Sequence, residues 1–162
     1  MIRKIISGGQ TGADQGALDG ALACDVPHGG AIPAGRKTEA GPLPKHYLLE
    51  ELDSPHYPER TEKNVVDSDG TLILSHGKLF GGSALTRAIA QRLAKPWLHI
   101  DCATVTPEEA VEQLRAWCLQ HRVEVLNVAG PRASVDSLIY SKTRQLIIAM
   151  LLRQQRGSHG SV

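Results

Sequence analysis

The stretch Ile2-Arg3-Lys4-Ile5-Ile6-Ser7-Gly8-Gly9-Gln10-Thr11-Gly12-Ala13-Asp14 decides how this chain folds. Its first part is rich in β-branched residues and lacks helical periodicity, as in a strand covered on both faces. Glycines then break the run, and Ala13, Ala17, Leu18, Ala21 and Leu22 recur behind them at helical spacing. Strand, tight turn and helix in that order open a parallel β-α-β unit, and the rest of the chain continues the alternation. An extended stretch lies around His28 to Pro33, and Thr71 to Ser75, Trp97 to Ile100 and Val123 to Val128 read as further strands. Helical patterns separate them. Pro58-Glu59-Arg60-Thr61 starts a short helix ending near Asp67, and Gly81-Gly82-Ser83 opens another. Thr106-Pro107-Glu108-Glu109 is a capping box, and the last pattern runs from about Val135 to Arg153. The predicted fold class is α/β. Residues 1–156 form one doubly wound, Rossmann-like domain with a mostly parallel sheet of about five strands, and 157–162 form a flexible Gly/Ser-rich tail.

Composition narrows the function. Eighteen Lys and Arg against 17 Asp and Glu leave a formal charge of +1, and aromatic residues make up only 4%. Both argue against a nucleic-acid binder, which needs a basic face and stacking platforms. No apolar run approaches the roughly 20 residues that span a bilayer, and the amino terminus lacks a signal-peptide layout, so a cytoplasmic protein is expected. Cys24, Cys102 and Cys118 are odd in number and far apart, which reads as buried thiols of a reducing compartment.

In this architecture ligands bind beyond the carboxyl ends of the strands. Three glycine-bearing loops follow strands. The first is Ser7-Gly8-Gly9-Gln10-Thr11-Gly12 with Asp14, where the spacing matches neither the dinucleotide fingerprint nor the Walker loop. Backbone amides at the start of the helix behind it are expected to hold a phosphate, seated on Gly9 to Gly12. On that pose a side chain at Gly9, as in Gly9→Val, fills the place of the anion. The second loop is Gly81-Gly82-Ser83, where Ser83 can cap the helix or donate to a phosphate. The third is Ala129-Gly130-Pro131-Arg132, which brings Arg132 toward the same edge.

A long irregular segment, Ala34 to Pro58, carries Arg36, Lys37 and Thr38 between glycines, a flap whose basic pair could close over an anion or lie in solvent as a surface turn. Arg60 opposes the dipole of its own helix, a conflict that a local acid or an anionic ligand resolves. Asp14, Asp67 and Asp69 are the acids nearest the expected cleft. The seven histidines form no ligand spacing, so no protein-ligated metal is expected.

Ser7-Gly8-Gly9-Gln10-Thr11-Gly12-Ala13-Asp14, Gly35-Arg36-Lys37-Thr38-Glu39-Ala40-Gly41, Glu59-Arg60-Thr61 with Asn64-Val65, Ser68-Asp69-Gly70-Thr71 and Asn127-Val128-Ala129-Gly130-Pro131-Arg132 run in order through nearly the whole chain. In these pieces the sequence resembles the molybdenum carrier family, part of the LOG-like (lysine-decarboxylase-like) Rossmannoid group. The resemblance implies a parallel sheet, dimers or tetramers, and binding of nucleotides or of molybdenum cofactor, a pterin with a dithiolene and a terminal phosphate. The enzymatic branch of that group, phosphoribohydrolases of nucleoside monophosphates, carries P-G-G-x-G-T-x-x-E. Here Phe80-Gly81-Gly82-Ser83-Ala84-Leu85-Thr86-Arg87 keeps the glycine pair and lacks the glutamate.

The first expectation is therefore a homo-oligomeric carrier of a phosphate-bearing pterin or nucleotide-like molecule. The alternative is a hydrolase of a nucleoside monophosphate or NAD-derived nucleotide, with Asp14, Glu39 or Asp69 as acid or base.

Overall fold

A computed structural model of the protein describes residues 1–159. In chain order the elements are β1 (Lys4–Ile6), α1 (Ala13–Ala23), β2 (His28–Gly29), β3 (Ala31–Ile32), β4 (Lys37–Thr38), β5 (Gly41–Pro42), β6 (Glu50–Glu51), α2 (Tyr57–Val66), β7 (Gly70–Ser75), α3 (Gly81–Arg92), β8 (Trp97–Asp101), α4 (Pro107–His121), β9 (Val125–Ala129) and α5 (Ile139–His159). The main sheet has the order β2-β1-β9-β7-β8 with every pairing parallel. This is the doubly wound α/β sheet that the alternation predicts. β7, the β-branched and leucine run, is buried along its whole length, as a central strand with helices on both faces must be.

One face is covered by α1, α4 and α5. Their Ala13, Ala17, Ala21, Leu114, Trp117, Ile147 and Leu151 pack on Ile5, Leu72, Leu74, Leu126 and Val128 of the sheet. Small residues let α1 lie close to α5: a Cβ on Gly16 would stand 2.5 Å from the carbonyl oxygen of Tyr140. The other face carries α2 and α3, with Val65, Ile89 and Ala90 buried together. The capping box is formed as read: Thr106 Oγ1 accepts the Glu109 N–H at 3.2 Å, and Glu109 Oε2 accepts the Thr106 N–H at 2.8 Å.

Three details differ from the sequence reading. The segment from Ala34 to Pro58 is not structureless: β4 and β5 form a small hairpin, β6 pairs parallel with β3, and Leu43, Tyr47 and Leu49 are buried against Leu18 and Ile32. The last helix starts at Ile139, not Val135, because Asp136 turns the chain by accepting the Leu138 N–H at 3.0 Å. It also continues to His159, through the start of the anticipated tail, whose remainder, 160–162, lies outside the described residues. Among the cysteines, Cys24 and Cys118 are buried but Cys102 is half-exposed; burial pushes the Cys118 thiol up to about 12.

Candidate functional site

The loops leaving β1, β7 and β9 meet at the carboxyl edge of the sheet and, with α2, enclose a cleft of about 800 Å³. That is the size range of small-molecule sites. Of the residues singled out by sequence, Gly8, Gln10, Asp14, Arg60, Gly81, Gly82, Ser83, Gly130 and Arg132 stand on its wall. Ser7, Gly9, Thr11, Gly12, Arg36, Lys37 and Thr38 do not.

The first glycine turn is filled by the protein itself. Gly9 N–H points to Ser7 Oγ at 3.4 Å, Gln10 N–H donates to Asp14 Oδ2 at 3.1 Å, Thr11 N–H to Gln10 Oε1 at 3.1 Å and Ala13 N–H to the Pro131 carbonyl at 3.1 Å. Three of the four amides expected to seat a phosphate, those of Gly9, Gln10 and Thr11, are thus engaged, and the Asp14 carboxylate takes the Gln10 N–H that an anion would use. The glycines here serve packing. A Cβ on Gly9 would stand 2.9 Å from Ile32 and 3.0 Å from Leu43 and Leu49, away from the cleft, and one on Gly12 would collide with the Pro131 carbonyl.

Arg60 is buried and donates to the Gly8 carbonyl, with its guanidinium 3.9 Å from Asp14. This resolves the charge conflict at the start of α2 with an internal acid. Burial raises the Asp14 carboxyl to about 6, against the opposing pull of Arg60 and of the Gln10 and Gly8 amides. The Tyr57 ring gathers Lys37, Arg60 and Arg132 at 4.8, 5.1 and 5.6 Å from its centroid, so positive charge collects at this side of the cleft.

The flap does not close through its basic pair. Arg36 donates to the carbonyls of Leu43, Pro44 and Tyr47 at 3.0, 2.9 and 2.8 Å, and Thr38 Oγ1 closes its own hairpin on Gly41 O at 2.5 Å. Both residues hold the loop's shape. The clasp is Glu39, whose carboxylate accepts from Thr11, from Ser134 N–H at 3.1 Å and from Ser134 Oγ at 2.5 Å. Those hydroxyls hold the carboxyl below its usual range. Asp69 stands at the wrong end. It precedes β7, at the amino edge of the sheet, and accepts the N–H groups of Glu124 and Val125 at 3.0 and 2.7 Å. Asp67 is paired with Lys63 at 2.7 Å. An Asp69→Ala variant should lose about 1.5 kcal/mol of stability, the low end for hydrogen bonds to a charged group, and leave ligand affinity unchanged; denaturant titration and calorimetry check it.

The second glycine loop is open where the first is closed. The N–H groups of Gly81, Gly82 and Ser83 have no partner among the described residues, nor does the Ser83 hydroxyl, and a Cβ on Gly81 or Gly82 would meet open space. Phe80, at the cap position, offers no side-chain acceptor. Gln10 adds an orphan: its Oε1 accepts from Thr11 and Glu39, while its buried Nε2 has no partner among the described residues. Lys78, His76, Asp136 and the exposed Phe80 and Leu138 complete the wall, and the sequence reading missed their roles. The signal for Phe80 was legible, since an apolar residue before a glycine pair leaves a helix uncapped. The neighbours His76 and Asp136 are 60 positions apart, and nothing local joins them. Among the described residues no group of three or more His, Cys, Asp or Glu could hold a metal ion, and no helix is long and apolar enough to cross a membrane.

A parallel sheet of this order, with its cleft at the carboxyl edge between glycine-bearing loops, defines a Rossmann-like α/β protein. The chain belongs to the circularly permutated YpsA SLOG family, whose model matches residues 5–151. It is also 51% identical to a crystal structure of a "Putative molybdenum carrier protein" from Syntrophus aciditrophicus SB, over 93% of this chain and 95% of that one, with a TM-score of 0.91. Among curated proteins none matches.

Proposed function

We propose that the protein binds a phosphate-bearing, ring-containing small molecule, nucleotide-like or the pterin of molybdenum cofactor carried as cargo, with the phosphate on the first turn of α3. The observation that carries this is the contrast between two helix starts: ahead of α1 the amides of Gly9, Gln10 and Thr11 are taken by the side chains of Ser7, Asp14 and Gln10, whereas α3 presents Gly81, Gly82 and Ser83 without partners among the described residues, beside Lys78. Free amides and the positive end of a 12-residue helix attract an anion. Gln10 Nε2, buried and unpaired, supplies a further donor at the same wall, and an unsatisfied buried group costs about 1–3 kcal/mol until it finds a partner. Arg60 and Arg132 supply positive charge, and Phe80 and Leu138 offer apolar surface for a ring.

Molybdenum cofactor fits this wall through its phosphate and ring. Among the described residues the cleft carries no cysteine, so its wall offers the metal no thiolate and the grip falls on the organic part. The name of the Syntrophus protein supports the carrier reading. The nucleoside-monophosphate hydrolase with Asp14, Glu39 or Asp69 as acid or base finds less support. Asp14 is engaged with Gln10 and Arg60, Glu39 with Ser134, and Asp69 lies at the far edge.

Gly82→Asp tests the proposal. Aspartate in the first turn of a helix is compatible with the fold, and its carboxylate would occupy and repel the anion. Calorimetric affinity for AMP, used as the probe, should fall at least about tenfold with an unchanged melting temperature, roughly the 1.4 kcal/mol of one lost charged contact. Equal affinity in the folded variant would place the phosphate elsewhere.

A further inference from the structure

We infer that His76, oriented by Asp136, is a general base for hydrolysis of a phosphoanhydride bond in the ligand that this cleft holds, a nucleoside diphosphate being the matching substrate class. The inference rests on the proposed phosphate site. His76 Nδ1 lies 2.6 Å from Asp136 Oδ2, with both side chains largely withdrawn from solvent and both residues on the cleft wall. A carboxylate can only accept, so the Nδ1 proton belongs to this bond and the neutral ring keeps its lone pair on Nε2. Nε2 has no partner among the described residues.

The surroundings fix the ring's position from both sides. Asp136 is itself held, its Oδ1 accepting the Leu138 N–H at 3.0 Å. On the histidine side, Ser75 Oγ donates to Gly77 O at 2.6 Å and accepts from His99 Nε2 at 2.7 Å, while Asp101 Oδ1 accepts the Gly77 N–H at 2.8 Å. The residues before and after His76 are thus pinned. His76 also shares the β7–α3 loop with Lys78 and with the open amides of Gly81 to Ser83, so base and phosphate site lie on one short connection. A dyad that only tied two loops together would not require an unpaired nitrogen on the wall of the cleft.

The chemistry balances with water alone. A water oxygen bonds to the terminal phosphorus as its proton passes to His76 Nε2. The bond from that phosphorus to the bridging oxygen breaks, and the electron pair leaves with the nucleoside monophosphate. The imidazolium then releases its proton to solvent, and orthophosphate departs. An anhydride is the matching bond because its leaving group needs no proton, and the carboxyl groups of Asp14 and Glu39 are engaged elsewhere.

The test measures two quantities on the same protein: orthophosphate released from ADP, and calorimetric affinity for AMP. His76→Gln should lose turnover by about 100-fold or more, the usual contribution of a general base, and Asp136→Asn by about tenfold or more, with AMP affinity within about threefold of the parent. Added imidazole should restore part of the rate to His76→Ala, which a purely structural role would not allow. Should Asp136→Asn fail to fold, His76→Gln and the rescue decide alone. AMP binding without phosphate release, or release indifferent to both substitutions, overturns the assignment and leaves the binding site standing. Loss of AMP binding in the parent protein overturns the site and the base together.

Discussion

Gly9→Val is expected to destabilise the protein by about 2–5 kcal/mol and to affect ligand binding only through that loss of fold. Gly9 has φ +73°, a left-handed conformation that costs a branched residue about 1–2 kcal/mol. Its Cβ would stand 2.9–3.0 Å from Ile32, Leu43 and Leu49, which pack with Leu18 and Tyr47 beneath the irregular segment, and overpacking of this kind adds about 1–3 kcal/mol. The measurement is a denaturant midpoint for each protein, with AMP affinity taken under conditions where the variant is folded. The outcome bears on the first glycine loop: a folded, fully stable Gly9→Val with no affinity would restore the phosphate to the first turn, whereas stability lost with affinity retained takes it off that turn and leaves Gly82→Asp to test α3.

Stability should also fall as pH rises through the range set by Asp14. The unfolded chain titrates this group near its ordinary 3.8, while burial moves it to about 6 in the folded protein. The folded state therefore holds the proton more tightly. Its contribution is fully present below about 4 and is lost as pH climbs through about 6, up to roughly 3 kcal/mol at 1.36 kcal/mol per unit. Desolvation is the dominant cause, and the 3.9 Å approach of Arg60 only partly offsets it. Asp14→Asn cannot titrate and should show a flatter dependence between pH 4 and 7. The slope is the informative quantity, since removing the carboxylate also leaves Arg60 without its countercharge, with only the Gly8 carbonyl beside it. Parallel curves for the two proteins would refute the assignment to Asp14.

The main sheet was legible because its central strand, β7, is buried on both faces. The run from Thr71 to Ser75 has no other use for a fully apolar core, and the glycine breaks mark where each strand turns into a helix. The candidate site was legible in outline, through Gln10, Arg60, Gly81 to Ser83 and Arg132, because strand ends converge on one edge. Which glycine loop stands open was hidden. It depends on where Asp14 and Gln10 direct their side chains, and both helix starts look alike as strings of letters. Arg36 misled for the opposite reason: a guanidinium between glycines suits an anion, but it suits three backbone carbonyls of a returning loop equally well. Asp69 was misplaced although its position ahead of a strand already assigned it to the amino edge. His76 and Asp136 could not be joined without the fold, since their contact needs β7 and β9 side by side.

That adjacency bears on how the chain comes to be made. β9 sits between β1 and β7, so the left and right portions of the sheet share no hydrogen-bonded neighbour until residues 125–129 arrive. A nascent polypeptide emerging from the ribosome must keep its first strand waiting through more than a hundred residues before the central gap closes. Folding is then gated by a late, long-range event, and synthesis stalled before β9 leaves exposed strand edges for chaperones to shield.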